Sequence, residues 1–282
     1  MVDVLSQPLV DVAWLHRHLD DPTVAVVEVG VENHAYYDGH VPGAAPLSWL
    51  DDLNEEDCRG VPSGSRVEEL LTERGVTGDT RVVLYGDQDN SFAAYAFWVL
   101  RYYGHRRLSL LDGGRQAWLD SGAPLSDDSP RRSPARYRAG APHDDIRLMR
   151  DDVLARYVGA SGDAALVDCR TSREYHGEPQ SPVDLPLMRH RLNGHIPGAR
   201  NISSKELIDT RTGRLRPLPQ LRATFQAQGI VPDRDVGLYC TIGERSALAW
   251  FVLRELLGYP RVRLYDGGWA EYGSLVGAPV NR

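Results

Sequence analysis

The chain has 282 residues, 42% of them hydrophobic, enough for a buried core in each of two ordinary domains. Its 39 acidic and 32 basic residues leave a formal charge of 32 − 39 = −7, and the basic residues gather into no long run, which argues against broad electrostatic binding to nucleic acid. No apolar stretch approaches the ~18–20 residues that span a bilayer, and MVDVLSQPLV lacks the regions of a secretory signal. Three scattered cysteines, Cys58, Cys169 and Cys240, make neither a disulfide framework nor a zinc site. The expectations are a reduced compartment, taken to be the cytoplasm, one functional thiol, and no metal, cofactor, nucleic-acid or membrane partner.

In chain order, a helical pattern around residues 10–15 gives way to a β-rich run at 24–29. Gly39-His40-Val41-Pro42-Gly43-Ala44 reads as a turn, because its glycines and proline stop regular structure. After a long polar stretch reaching Ser65, a helix is predicted over 67–74, ending at Gly75. Residues 82–85 read as a short apolar strand, 93–103 as a helix ended by Gly104, and 108–111 as a strand closed by Asp112-Gly113-Gly114.

The second half repeats this order. Residues 166–168 read as a strand, Gly194-His195-Ile196-Pro197-Gly198-Ala199 as a turn, 236–239 as a strand, 247–257 as a helix and 262–265 as a strand before Asp266-Gly267-Gly268. The offsets agree: 195 − 40 = 155, 239 − 85 = 154 and 266 − 112 = 154, with a one-residue slip at Val99-Leu100-Arg101 against Val252-Leu253-Arg254, where the offset is 153. So long a period indicates a duplicated domain, not a stacked array. Residues 126–134 are polar and proline-punctuated, as a linker is, which gives domains 1–126 and 144–282 joined by 127–143. Alternating short strands and helices predict, in each half, a parallel α/β sheet with helices on both faces. Reactive groups in such sheets collect at the strand carboxyl ends, and Cys240 follows one.

The halves differ where chemistry would be. Cys240-Thr241-Ile242-Gly243-Glu244-Arg245-Ser246 lies between a strand and a helix, so backbone N–H groups converge on the sulfur. The matching place in the first half is Gly86 followed by Asp87-Gln88-Asp89-Asn90, acidic and without a nucleophile, which predicts a catalytically silent domain. The spacing between Glu28 and His40 is 12, whereas that between Asp168 and His195 is 27. The fifteen extra residues fall within 177–193 and end in Arg189-His190-Arg191, either a lid or anion-steering segment or a solvated surface loop.

These residues resemble the rhodanese, or sulfurtransferase, family in its tandem two-domain form. The resemblance covers nearly the whole chain and rests on both Gly-His-(Val/Ile)-Pro-Gly-Ala turns, on Asp168-Cys169-Arg170 with Glu174, on the Cys240 loop, and on the two Asp-Gly-Gly turns near Trp118 and Trp269. It implies a silent first domain, an active second one, and a persulfide relay through Cys240 from a small anionic donor, thiosulfate, to cyanide, a thiol or a protein acceptor. Both donor and persulfide are anions that the N–H groups of 241–246 would stabilise. An ordinary thiol has a pKa of ~8.5, and a helix dipole supplies only ~0.3–1 kcal/mol against ~1.4 kcal/mol per pKa unit, so direct N–H hydrogen bonds are expected to do most of the activation.

Arg245 either reaches the substrate or turns inward to Asp168 or Glu174, and the inward pairing is favoured because a side chain beside a tight cradle points away from it. Thr241 and Ser246 offer hydroxyls, Ser246 doubling as a reading for the helix N-cap. Glu244 puts negative charge at the mouth, against highly charged anions. Some thiosulfate enzymes of the family carry lysine, and mercaptopyruvate enzymes serine, where this chain has Ile242; several two-domain members carry a substrate-binding arginine where it has Glu174. Arg189 and Arg191 are the residues that would replace that charge, and 3-mercaptopyruvate is the alternative donor. A phosphatase of the same fold uses C-x5-R, one residue longer than Cys240 to Arg245, and a non-enzymatic binding module predicts no nucleophile. Cys58 and Cys169 read as ordinary residues, His40 and His195 as a shared structural pair, and Phe97, Trp98, Trp250 and Phe251 as core.

Overall fold

The short apolar runs become strands of two separate parallel sheets in the computed structural model, which describes residues 7–54, 60–128, 130, 132–159, 162–178 and 188–282. The first sheet holds β1 (Leu9–Val10), β2 (Val24–Gly30), β3 (Ala45–Ser48), β4 (Arg81–Tyr85) and β5 (Leu108–Leu111) in the order β1-β5-β4-β2-β3. The second holds β6 (Ala164–Asp168), β7 (Arg200–Asn201), β8 (Asp235–Tyr239) and β9 (Val262–Leu264) in the order β7-β6-β8-β9. Each sheet belongs to its own unit: the first unit runs to His143 and includes Thr210–Leu215, and the second comprises Asp144–Asp209 and Arg216–Arg282. The central strands β4, β6 and β8 are buried at every position, as strands covered by helices on both faces must be.

Helices fill the crossovers. Gly64–Glu73 starts three residues before the predicted 67–74 because the Ser63 hydroxyl accepts from the Arg66 N–H at 3.2 Å. Ser91–Tyr102 follows β4, and Glu244–Phe251 follows β8 before relaxing into a π-helical turn at Val252–Leu256. Phe97, Trp98, Trp250 and Phe251 are fully buried on them, which is the core packing expected. In both sheets the chain leaves the first central strand toward one edge and returns on its other side. The reversal falls between β2 and β4 and between β6 and β8, and ligands of such sheets collect at the strand carboxyl ends beside a reversal of this kind.

Four features depart from the sequence reading. Residues 9–10 are an edge strand paired with β5, and the helix begins only at Val12, with Asp11 accepting from the Trp14 N–H at 2.7 Å. β3 and β7 are strands of four and two residues, too short for a periodic signal, and β3 contains Pro46, which an edge position tolerates. Leu218–Ala227 is a helix with no counterpart among the predicted elements. The stretch expected to be a linker is fastened to the first unit: Ala135, Gly140 and His143 donate their N–H groups to the carbonyls of Thr72, Tyr103 and Tyr102. Tyr137 is buried there.

Gly86 follows β4 as Cys240 follows β8, yet the two loops differ in backbone as well as side chain. A Cβ at Gly86 would lie 2.2 Å from the Val29 carbonyl oxygen, so the position has no room for any side chain. Beyond it, Gln88, Asp89 and Asn90 all take positive φ, of 48°, 59° and 62°. The Asn90 side chain holds this turn, accepting from the Gly86 N–H at 2.9 Å and donating to Leu111 O at 2.6 Å. Gly86→Ala should therefore lower the unfolding free energy by ~1–3 kcal/mol in urea titrations, the range of an overpacked site. A variant as stable as the parent would mean that the backbone there gives way freely.

Candidate active site

β8 delivers Cys240 to the reversal point beside β6, with its thiol fully buried. The loop turns at Gly243, whose φ of 101° only glycine adopts readily, and the helix starts at the next residue. That turn aims the Gly243 N–H at Sγ, 3.2 Å away. On its other side Sγ donates to Glu244 Oε2 at 3.1 Å. Burial pushes the thiol up, and the adjoining Glu244 carboxylate adds to it; the Arg245 charge and the Ser246 N–H oppose, and the net position is about 11. The resting form is thus the thiol. N–H donors do converge on the sulfur, but they are outweighed by burial and by a carboxylate in direct contact with it.

Arg245 turns inward. Its Nη1 and Nη2 donate to the two oxygens of Glu174 at 2.7 and 3.0 Å, Nη2 also reaches Thr241 Oγ1 at 2.8 Å, and Nε donates to Glu244 Oε1 at 3.1 Å. Thr241 Oγ1 in turn donates to Glu174 Oε1 at 3.2 Å. Glu174 is itself fixed by the N–H and hydroxyl of Thr171, each at 2.8 Å, in a capping box at the start of the helix Ser172–Tyr175. So Glu174, which stands where several two-domain family members carry an arginine, serves as the anchor of the loop. Ser246 is not the N-cap: Gly243 holds that position, and the buried Ser246 hydroxyl donates back to the Gly243 carbonyl at 2.9 Å. Ile242 is buried.

Asp168 is engaged elsewhere. Arg170 clamps it through Nη2 at 2.6 Å and Nε at 3.0 Å, and donates from the same Nη2 to Gly194 O at 2.7 Å, with its guanidinium 4.5 Å from the centre of the Trp269 ring. The pair supports the sheet end and the Gly-His-Ile-Pro-Gly-Ala turn. Arg189 and Arg191 are exposed, and their stretch is tied down by backbone, the Arg191 and Leu192 N–H groups donating to Gly273 O. Residues 179–187 of the insertion and Cys58 lie outside the described residues. His195 stacks on Tyr175 at 3.6 Å as His40 stacks on Tyr36 at 3.8 Å, so the matched histidines share a structural role. Cys169 extends β6 next to Cys240, is fully buried and is pushed well up by that burial.

Sequence reasoning took Asp-Gly-Gly only as a turn; its second glycine also braces the loop. Gly268 has a φ of 57°, and a Cβ there would lie 2.6 Å from Thr241 O and 2.8 Å from Cys240 O. That approach lets the Trp269 N–H reach Cys240 O at 2.8 Å and the Ala270 N–H reach Thr241 O at 3.0 Å. Gly114 does the same for Gly86 in the other half, so the signal was the turn's recurrence at the offset of the loop itself.

Comparison with known proteins agrees with this geometry. The rhodanese-like domain family matches residues 11–121 and again 151–275. "Sulfur carrier protein TtuD" of Thermus thermophilus is 42% identical over 273 residues, covering 96% of this chain and 95% of its own length. A Haloferax volcanii protein named "Putative thiosulfate sulfurtransferase" is 41% identical over 285 residues, covering 99% and 98%. Among solved structures, a complex of an EanB variant with ergothioneine superposes with a TM-score of 0.84 at 26% identity, over 99% of this chain and 71% of that one. The crystal structure of YnjE superposes with a TM-score of 0.81 at 26% identity, over 97% and 68%.

The Glu174 clamp has a pH signature. Burial raises Glu174, but the Arg245 hydrogen bonds and charge, with the Thr171 donors, outweigh it and bring the carboxyl from its usual 4.5 down to about 2. A carboxyl depressed by folding stabilises fully above the unfolded value, and the contribution fades as pH falls toward the folded one. Its size is about 3 kcal/mol. Glu174→Gln should lose that amount at neutral pH, and the gap to the parent should close between about pH 4.5 and 2 in urea titrations. A pH-independent gap would remove the ion pair from the account.

Proposed function

The chain is a member of the rhodanese family of sulfurtransferases, and on that premise we propose that it moves sulfane sulfur from thiosulfate to a thiophilic acceptor through a persulfide on Cys240. The observation that carries this reading is Cys240 at the reversal point between β6 and β8, in a loop whose counterpart has no room for a side chain at Gly86. Cys240 sulfur attacks the outer sulfur of thiosulfate, the S–S bond of the donor breaks, and sulfite leaves with the electron pair. Cyanide, a small thiol or a protein thiol then takes the outer sulfur and regenerates Cys240. The domain carrying Cys240 is the working one and its partner is silent.

Support for thiosulfate comes from the name carried by the Haloferax relative and from Ile242, which lacks the hydroxyl expected of a mercaptopyruvate enzyme. The sulfur-carrier name of the Thermus relative favours a protein acceptor. Against phosphoryl chemistry stands Arg245, whose donors are taken by Glu174, Thr241 and Glu244 in place of a tetrahedral anion. A free thiol of this kind persists in the reducing cytoplasm, where we place the reaction.

Mass spectrometry of the protein after incubation with thiosulfate should find one added sulfur on the peptide containing Cys240. Cys240→Ser should fold, take up no sulfur and form no thiocyanate from cyanide. Thiocyanate formation retained in that variant would sink the mechanism. An adduct formed from 3-mercaptopyruvate but not from thiosulfate would reassign the donor.

A further inference from the structure

Cys240 and Glu244 lie four residues apart across the tight turn at Gly243, and the helix start folds the Glu244 carboxylate back over the sulfur. The two oxygens of that carboxylate have different partners. Oε1 accepts from Arg245 Nε at 3.1 Å, which fixes the plane of the group, and Oε2 accepts from Cys240 Sγ at 3.1 Å. Both side chains are buried, so a proton leaving the sulfur meets this oxygen before it meets solvent. The other charged or titratable groups around the pair are Arg245 on the same helix, Cys169 at the end of β6, Asp168, which Arg170 clamps, and Glu174, which Arg245 clamps.

We propose that Glu244 is a catalytic residue: its carboxylate takes the Cys240 proton as the sulfur attacks its donor, and gives that proton to the persulfide formed. The proposal rests on the persulfide reading above. In the first half-reaction the S–H bond of Cys240 breaks and an O–H bond forms on Glu244. A new S–S bond joins Cys240 to the outer sulfur, and the donor's S–S bond breaks, releasing sulfite with the electron pair. The proton then passes from Glu244 to the outer sulfur of the persulfide. The sum is Cys–SH plus thiosulfate giving Cys–S–SH plus sulfite, with charge −2 on each side. In the second half-reaction cyanide removes the outer sulfur as thiocyanate, and the proton returns through Glu244 to Cys240.

One proton is therefore kept by the pair through the whole cycle, and its two side chains together carry a single negative charge before and after attack, apart from the charge the donor brings. This explains how a carboxylate can stand against the nucleophile in a site that receives a dianion. A thiolate beside an ionised Glu244 would put a second charge in the same buried volume. It also explains a thiol whose resting position is high: with a base in contact, attack needs no standing population of thiolate.

The test compares Glu244→Gln, Glu244→Asp and the parent in the rate of sulfur loading from thiosulfate as a function of pH, with the thiol of Cys240 titrated by thiolate absorbance against the Cys240→Ser background. In the parent the rate should hold level across neutral pH. Glu244→Gln should titrate its thiol at lower pH than the parent and so hold more thiolate. It should nevertheless load on the order of 100-fold more slowly at neutral pH, with a rate that climbs as pH rises and the thiolate forms unaided. Glu244→Asp should keep the level profile at a reduced rate, which separates a proton-transfer role from loss of loop structure. A Glu244→Gln variant as fast as the parent at neutral pH would overturn the proposal and leave Glu244 a mere suppressor of thiolate. Loading of Glu244→Gln at alkaline pH would keep the persulfide reading whatever becomes of Glu244, whereas failure of the parent to load at any pH would remove both.

Discussion

Both halves are organised around one buried carboxylate in the carboxyl-terminal half of the first central strand. Glu28 stands opposite Tyr85, and Asp168 opposite Tyr239, across the register of neighbouring strands. Each tyrosine hydroxyl donates to its acid, and each accepts an N–H from the glycine-proline turn, Val41 at 2.9 Å or Ile196 at 3.2 Å. Breaking such a buried pair costs on the order of 3–5 kcal/mol, so each acid requires an arginine, and each has one. Arg115 reaches Glu28 at 2.7 Å and Gly39 O at 2.6 Å; Arg170 reaches Asp168 at 2.6 Å and Gly194 O at 2.7 Å. The same three groups, acid, tyrosine and arginine, thus fix the turn in both units and place the residue after the tyrosine, Gly86 or Cys240, at the carboxyl end of its strand beside the reversal point.

The arginine arrives by different routes. In the first unit it comes three residues after Asp112, and in the second, two residues after Asp168, while the place three after Asp266 is taken by Trp269. That indole lies against the Arg170 guanidinium, so the exchange keeps the cation where it was and adds a cation–π contact. With Arg170 committed to Asp168, the second arginine near the sulfur, Arg245, has only Glu174 and Glu244 left as carboxylate partners in the loop network, and it takes both. Order in the loop follows from this chain of exclusive pairings more than from any one bond.

The sequence was most legible where one residue decides the local structure. Continuous apolar runs read as buried strands, and Gly39, Gly43, Gly194 and Gly198, all at positive φ, read as turns. The sequence favoured an inward Arg245 over one that reaches the substrate without deciding between them, and it did not choose Glu174 over Asp168, because that choice depends on Arg170 holding Asp168. The contact between the thiol and Glu244 was not legible for a related reason. N–H donors are a property of any strand-turn-helix, but whether the residue four along lies over the sulfur depends on the φ of 101° at Gly243 and the helix starting immediately after it. Nor does polar composition between the halves reveal that the backbone of residues 135–143 pairs with helix-end carbonyls of the first unit.

In the proposed reaction these pairings bear on turnover as well as on shape. A dianion enters and sulfite, another anion, must leave, so an arginine aimed at the cradle would hold donor and product alike. Binding shared equally by ground and transition states lowers the substrate concentration needed without speeding the chemical step, and on the product side it slows release. Arg170 and Arg245 are both engaged by carboxylates, so the Arg245 charge favours negative charge at Cys240 from a distance while the Gly243 and Ser246 N–H groups are the hydrogen-bond donors that face the sulfur. Dipoles of this kind are fixed by the turn and need no reorganisation as the sulfur gains charge. In that reaction the internal neutralisation of Arg245, which costs the site an aimed cation, removes a group that would otherwise hold donor and sulfite alike.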